Sequence, residues 1–112
     1  MNLKEGSLDQ TFIALADPTR RAILARLIEG EARVTEIAEP FPISLNSVSK
    51  HIRLLERAKL ISRERTGREH VLSLNPHGLD EAAAWVENTK AYWLTRFDTL
   101  NELLRQKKNT QS

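Results

Sequence analysis

The sequence predicts a mainly α-helical protein that carries one β-hairpin. Two prolines make a stiff turn at 40–43, directly ahead of an amphipathic, basic stretch at 44–58. Two short segments flank Thr66-Gly67, a dipeptide that suits a tight turn. Apolar residues recur with heptad spacing through the last third of the chain. A helix-turn-helix, a hairpin and a long last helix, in that order, make a winged helix-turn-helix.

Length and composition are typical of a single domain over residues 1–112. The chain is 40% apolar and 29% charged, which favours a globular protein over a disordered or membrane-spanning one. It contains no cysteine, so disulfides, thiolate metal sites and thiol chemistry are excluded. The sequence contains neither a signal peptide nor a long apolar run. We therefore expect a cytoplasmic protein with no membrane partner.

Two helices are predicted before the turn, and a third, short one leads into it. The first helix is expected at about 7–16, after a loose terminus, with an apolar face formed by Leu8, Phe12, Leu15 and Ala16. The dipeptide Asp17-Pro18 begins the second helix, with the carboxylate as N-cap and proline in the first turn. The predicted buried stripe of the second helix consists of Ile23, Leu24, Leu27 and Ile28, and Arg20, Arg21 and Arg26 lie outside it. The third helix is expected at 35–39.

The stretch 44–58 is predicted to be the second helix of the helix-turn-helix, with Ser44 as its N-cap. Its apolar stripe consists of Val48, Ile52 and Leu55. Its polar side carries Asn46, Lys50, Arg53 and Arg57, with Ser47 and Ser49 near the N-terminal end. Amide, guanidinium and hydroxyl groups are those that recognise adenine, guanine and phosphate in a major groove, so we interpret this stretch as the DNA-reading helix. The alternative is a solvated amphipathic helix without a ligand.

Basic residues concentrate in this helix and in the hairpin after it. Residues 44–70 carry 7 Lys/Arg and 3 Asp/Glu, whereas residues 1–43 carry 5 and 7. The hairpin strands are predicted at 60–65 and 68–74, with Arg63, Arg65 and Arg68 near the tip. Such a wing can lie along phosphates or enter a narrow minor groove. Alternatively, its arginines are solvated charges that protect an edge strand.

The last helix is predicted to begin at Asn75-Pro76 and to run over about 76–107, followed by a disordered tail at 108–112. Its heptad seam consists of Leu79, Ala83, Val86, Lys90, Trp93, Phe97, Leu100 and Leu104. This stripe, broken only at Lys90, is longer than the core of such a short chain can bury, so we expect a homodimer contact. The alternative is that the helix lies across its own subunit.

Three strings resemble the ArsR/SmtB family of bacterial winged-helix repressors: ALADPTRRAIL at 14–24, SVSKHIRLLERAKLI at 47–61 and RERTGREHVLSL at 63–74. The resemblance spans about residues 8–104. It implies a symmetric dimer, built from the first and last helices, that represses transcription from an inverted repeat in double-stranded promoter DNA. Positions implied to face DNA are Ser44, Asn46, Ser47, Ser49, Lys50 and Arg53 on the helix, with Arg63 and Arg68 on the wing. The expected dimer contacts are Leu8, Phe12, Val86, Trp93, Phe97, Leu100 and Leu104.

The departures from the family pattern concern metal binding and the reading helix. Arg33 and Thr35 stand where many relatives have a Cys-x-Cys pair, and residues 93–108 lack the histidine of a second family metal site. The chain's three histidines are not spaced as a ligand pair, so we expect no metal and no cofactor. Asn46 replaces a common proline and is predicted to contribute sequence readout. Lys59 replaces a common glycine, and because a left-handed lysine costs about 1 kcal/mol, the helix is expected to end differently.

Three functional classes compete at this point. A dimeric DNA-binding repressor accounts for the basic helix, the wing and the apolar last helix. A winged-helix module that binds protein through its last helix, or a repressor that senses a non-metal ligand, are the alternatives. An enzyme is not expected, because the sequence has no cysteine nucleophile, no glycine-rich phosphate loop and no histidine suitably paired with carboxylates. The operator, the regulated genes and any effector cannot be derived from the sequence.

Overall fold

The protein is described here by a computed structural model, which covers the backbone of residues 3–110 and the side chains of residues 6–108. Its elements, in chain order, are α1 (Leu3–Leu15), α2 (Pro18–Ile28), β1 (Ala32–Arg33), α3 (Val34–Ala38), α4 (Leu45–Arg57), β2 (Ile61–Thr66), β3 (Glu69–Leu74) and α5 (Asp80–Thr110). The chain divides into two compact units, Met1–Glu81 and Ala82–Ser112. The element order confirms the winged helix-turn-helix. No helix in the described part is both long and apolar enough to cross a bilayer.

The core of the first unit is built from one apolar stripe of each helix and from the inner face of the sheet. Its side chains with less than 5% of their surface exposed include Ala14, Ile23, Leu27, Ile37, Val48, Ile52, Leu55 and Leu72. Burial of one such leucine or isoleucine contributes about 1.5–3 kcal/mol to folding. The core therefore fixes α4 by its apolar stripe, as predicted, and leaves the opposite side of that helix in solvent.

The wing is an antiparallel hairpin extended by a third strand. Strands β2 and β3 pair from Ile61↔Leu74 to Thr66↔Glu69, which leaves a two-residue loop. Gly67 opens this loop with a φ of +64°, a conformation that glycine adopts without steric cost. On its other side β3 pairs with β1 through Ala32↔Leu72 and Arg33↔Val71. The sequence did not predict β1, because two residues carry no periodicity and their partner strand lies far along the chain.

Several predicted boundaries and burial assignments were wrong. Helix α1 begins at Leu3, so the expected loose terminus is helical from that residue on. Ala16 and Ile28 are exposed, Ile28 to 75%, although both were assigned to apolar faces. Helix α5 continues to Thr110, into the segment expected to be a disordered tail, and residues 111–112 lie outside the described part.

The last helix begins at Asp80 rather than at about 76, because Asn75 serves a turn instead of capping a helix. The Asn75 side-chain oxygen accepts a hydrogen bond from the His77 N–H at 3.2 Å. Its side-chain nitrogen donates to the Lys59 carbonyl at 2.8 Å, and its backbone N–H donates to the Leu60 carbonyl at 2.9 Å. Asn75 thus ties the chain after the wing to the end of α4.

Helix α4 ends in a left-handed residue, contrary to the prediction. Lys59 has a φ of +59°. Its N–H donates to the Glu56 carbonyl at 2.9 Å, and the Leu60 N–H donates to the Leu55 carbonyl at 3.1 Å, which together form a Schellman motif. Gly78 packs against this turn so closely that a Cβ would lie 2.7 Å from the Lys59 carbonyl oxygen. The contacts with Asn75 and Gly78 offset the cost of the left-handed lysine.

Candidate nucleic-acid interface

The N-terminal end of α4 is fixed by the residue that the sequence identified as its cap. Ser44 has extended backbone angles, and its hydroxyl accepts a hydrogen bond from the Ser47 N–H at 3.1 Å. The same hydroxyl donates to the Ser47 Oγ at 3.0 Å. Two of the side chains expected to face DNA therefore also determine where the helix starts.

The two sides of α4 separate as the helical periodicity predicts. Val48, Ile52 and Leu55 are completely buried, whereas Asn46, Lys50 and Arg53 are exposed. Ser49 is half-buried. Asn46, Lys50 and Arg53 follow one another at intervals of four and three residues, so they form a single polar stripe along the exposed side. This stripe offers one amide and two cations to a ligand.

Arg63 of the wing is held against α4 by an ion pair. Its Nη2 lies 2.7 Å from the Glu56 Oε1, and its Nε donates to Oε2 of the same carboxylate at 3.3 Å. Both side chains are 29% exposed, so this two-point contact is partly shielded from water. The pair connects β2 to the reading helix and fixes the guanidinium beside it. Sequence reasoning placed Arg63 on the wing but did not find its partner.

A groove of about 310 Å³ runs between the start of α4, the segment 33–35 and the wing. Three of the residues predicted to face DNA line it together: Ser49, Arg63 and Arg68. The other six residues that line this groove were not predicted to face DNA: Arg33, Val34, Thr35, Leu45, Glu69 and His70. Ser44, Asn46, Ser47, Lys50 and Arg53 do not line it and lie outside it on α4.

Arg33 links the third helix to the wing. Its Nε lies 2.7 Å from the Glu36 Oε1 and its Nη1 lies 2.8 Å from the Glu69 Oε1. These two carboxylates raise the pKa of Arg33, and the hydrogen bonds from Arg33 lower the pKa of Glu36 in return. A permanently charged side chain with two anionic partners therefore occupies the position where relatives were expected to carry a metal-binding cysteine. Within the described residues no group of three His, Asp or Glu side chains is arranged to hold a metal ion.

His51 of α4 contacts a polar cluster at the start of α2, formed by Asp17 and Arg20. Asp17 caps α2 by accepting from the Arg20 N–H at 3.1 Å, as the sequence predicted. Arg20 is only 9% exposed, although it was assigned to the outside of α2. Its guanidinium donates to the carbonyls of Ala14 at 2.8 Å and Ile13 at 2.7 Å, and to the His51 Nδ1 at 3.2 Å. Arg20 therefore binds the last carbonyls of α1 and also contacts the reading helix through His51.

The residues predicted to form a dimer contact differ in their exposure. Leu8 and Phe12 on α1 are half-buried. On α5 the seam residues Val86, Trp93, Phe97, Leu100 and Leu104 are exposed to between 44% and 62%. Trp85, Tyr92, Leu94 and Leu103 on the same helix are exposed to a similar extent. The second unit therefore exposes large apolar side chains in a number typical of an interaction surface.

Comparison with known proteins places this geometry among transcriptional regulators. A helix-turn-helix domain family matches residues 15–64, which span α2, α3, α4 and the start of the wing. The chain is 42% identical to the HTH-type transcriptional regulator Rv2034 of Mycobacterium tuberculosis over 65% of this chain and 68% of that protein. It is 40% identical to the transcriptional repressor SdpR of Bacillus subtilis over 72% of this chain and 90% of that protein.

Solved structures agree with the sequence relatives. The crystal structure of an ArsR family transcriptional regulator matches with a TM-score of 0.76 and 38% identity, covering 83% of this chain and 96% of the other. An ArsR-like transcriptional regulator from Rhodococcus sp. RHA1 matches with a TM-score of 0.77 and 26% identity, covering 88% and 93% of the two chains. Both matches extend well beyond the helix-turn-helix.

Proposed function

The chain belongs to the ArsR/SmtB family of winged-helix transcriptional regulators, and on that premise we propose that it is a repressor that binds an inverted repeat in promoter DNA as a homodimer. The observation that carries this proposal is the polar stripe of α4, where Asn46, Lys50 and Arg53 face solvent while the opposite stripe is completely buried. A helix held in this way presents its polar side to a major groove without any rearrangement of the core.

The groove beside α4 supports DNA as the ligand. Arg63 and Arg68 come from the wing and Ser49 comes from the helix, so one concave surface combines cations with a hydroxyl. Its one carboxylate, Glu69, is ion-paired with Arg33. Cations of this kind bind phosphates and fix the register of a protein on the duplex, whereas side chains of the reading helix contact base edges. The ion pair with Glu56 holds the Arg63 guanidinium in place before DNA arrives, which reduces the entropy lost on binding.

The apolar seam of α5 supports the homodimer. Trp93, Phe97, Leu100 and Leu104 lie within one narrow sector of the helix, and each is more than half exposed. A second copy of the same helix offers a complementary surface, as in a symmetric dimer. Two reading helices in one dimer then contact half-sites separated by about one helical turn of DNA, roughly 34 Å.

The direct test is selection of DNA fragments by the purified protein, followed by affinity measurements on the selected site. We expect a palindromic consensus, and we expect Lys50→Ala with Arg53→Ala to abolish specific binding without changing the circular dichroism spectrum. The control variant, Arg26→Ala with Arg105→Ala, removes two cations whose ion pairs within the described residues are 3.9 Å long and partly or largely exposed. It should bind the site like the wild type.

Salt dependence separates phosphate contacts from other contributions. Each phosphate neutralised by the protein adds about −0.9 to the slope of log K against log salt concentration. Arg68→Ala should therefore make the slope less negative by about one unit per half-site.

Retention of specific binding by the Lys50 and Arg53 double variant would overturn the assignment of α4 as the reader. A 1:1 complex with another protein that retards no DNA would favour the protein-binding alternative.

A further inference from the structure

One large apolar side chain is exposed in the first turn of the reading helix, where it continues the apolar stripe of Val48 and Ile52 toward the N-terminus. Leu45 is the first residue of α4 and is 54% exposed. Its neighbours toward solvent are Asn46 in the next position and Ser49 one turn later. The first turn of such a helix reaches furthest into a major groove. Leu45 therefore stands where a base edge is expected.

Leu45 has no evident structural role in its own subunit. The apolar contact that often fixes the start of a helix joins the residues before and four after the cap, which are Ile43 and Val48 here. Leu45 belongs to neither position and lies outside the core cluster of the described residues. Packing within the subunit therefore does not account for the exposed surface of Leu45, and a bound ligand would.

The surroundings of Leu45 indicate which ligand it would meet. It lines the groove of about 310 Å³ together with Val34, Ser49, Arg63 and Arg68. The groove also contains Arg33, Thr35, His70 and one carboxylate, Glu69, which is ion-paired with Arg33. Two apolar side chains thus lie among three arginines. A ligand that fits this arrangement is anionic at its edges and carries an apolar group between them. DNA has this chemistry at thymine, whose C5 methyl group projects into the major groove between two phosphate backbones.

We propose that Leu45 contacts the C5 methyl group of a thymine in each half-site and so determines one base of the operator. This inference rests on the proposed function and adds a residue to the reading surface that hydrogen-bonding chemistry alone would omit. A methyl contact discriminates thymine from cytosine and also from uracil, which differs from thymine only by that methyl group. Replacement of thymine by uracil therefore tests the contact with the methyl group and changes nothing else in the base.

The experiment uses the selected operator with each thymine replaced in turn, in both half-sites, by deoxyuridine. Loss of one buried methyl contact corresponds to about fourfold in affinity per half-site. We expect wild-type protein to lose this factor at one symmetric thymine position. Leu45→Ala should bind the thymine and uracil versions of that position equally, and its unchanged circular dichroism spectrum would show that the fold is intact.

The matched control is Ile28→Ala, which removes an even more exposed aliphatic side chain from α2. It should keep the full response to deoxyuridine. The inference is overturned if no deoxyuridine weakens wild-type binding, or if the loss at every position persists in Leu45→Ala. In either case specific binding of the operator would leave the proposed function standing. Failure to select any sequence would instead overturn the proposed function, and this inference with it.

Discussion

Helices α4 and α5 carry the same kind of apolar pattern, but the apolar stripe of α4 is buried and that of α5 is exposed. The stripe of α4, formed by Val48, Ile52 and Leu55, is completely buried. The seam of α5 leaves Trp93 61% exposed and Phe97 60% exposed. Periodicity therefore identifies the side of a helix that avoids water, but it does not identify what covers that side. For α4 the cover is its own unit, and for α5 we propose a second copy of the chain.

The largest expected difference between the two helices is in the cost of removing one leucine side chain. Leu55→Ala leaves a cavity in the core and should lower the free energy of unfolding by about 2–5 kcal/mol. Leu104→Ala removes a side chain that is 62% exposed and should change the stability of the dissociated protein by less than about 0.5 kcal/mol. Urea denaturation at low protein concentration measures both. Equal losses would contradict the contrast between the helices.

The α5 seam can be broken without touching the reading surface. Trp93→Glu with Phe97→Glu places two charges in the proposed dimer contact and should yield a monomer by analytical ultracentrifugation. Because the second half-site is then no longer bound by a linked reading helix, operator affinity should fall about a hundredfold or more. Ala91→Glu with Thr95→Glu adds the same charges at the same spacing on the opposite side of the helix and should remain dimeric. A dimeric seam variant would rule out this interface.

A smaller effect is expected at the end of α4, where Lys59 is left-handed. Lys59→Gly removes the steric cost of this conformation and should raise the free energy of unfolding by up to about 1 kcal/mol. Lys59→Ala keeps a Cβ in the same conformation and loses only the charge, so it should gain nothing. Chemical denaturation of the three proteins measures the difference. A gain in both variants would attribute the effect to charge and not to backbone strain.

The smallest expected effect is on how the stability of the fold depends on pH, through the carboxyl group of Asp17 at the start of α2. The hydrogen bond from the Arg20 N–H, aided by the charges of His51 and Arg20, holds the pKa of Asp17 below its ordinary value of 3.8. A carboxyl group with a lowered pKa stabilises the fold above its unfolded-state pKa, and this contribution is lost as the pH falls through the folded-state pKa. Asp17→Asn keeps a capping oxygen but cannot titrate. Its urea midpoint should therefore depend less on pH below about 4 than that of the wild type.

The parts of the fold that were predicted from sequence depend on local signals. Helix α4 was expected at 44–58, and the structure has Leu45–Arg57 with Ser44 and Ala58 as its caps. Capping chemistry and a clear apolar stripe act within one or two turns, so the sequence contains them. The exposure of Asn46, Lys50 and Arg53 follows from the same periodicity. Their contact with DNA and the α5 dimer contact remain predictions.

The parts that were missed depend on residues distant in sequence. Lys59 adopts a left-handed conformation because Asn75 and Gly78 contact its carbonyl from beyond the wing. Strand β1 exists because Ala32 and Arg33 pair with β3. The partner of Arg63 is only seven residues away, but the turn between α4 and β2 decides that Glu56 is within reach, and that turn depends on Asn75 and Gly78. No local propensity encodes these contacts.

The position of Arg20 has a consequence for the dynamics of the molecule. The Arg20 guanidinium, on α2, donates to two carbonyls of α1 and to His51 on α4, so separation of any of these helices breaks a hydrogen bond to a side chain that is only 9% exposed. Amide protons in the three helices should therefore exchange with solvent through one shared opening event rather than through three independent ones. The reading surface would then open only when the first unit as a whole opens.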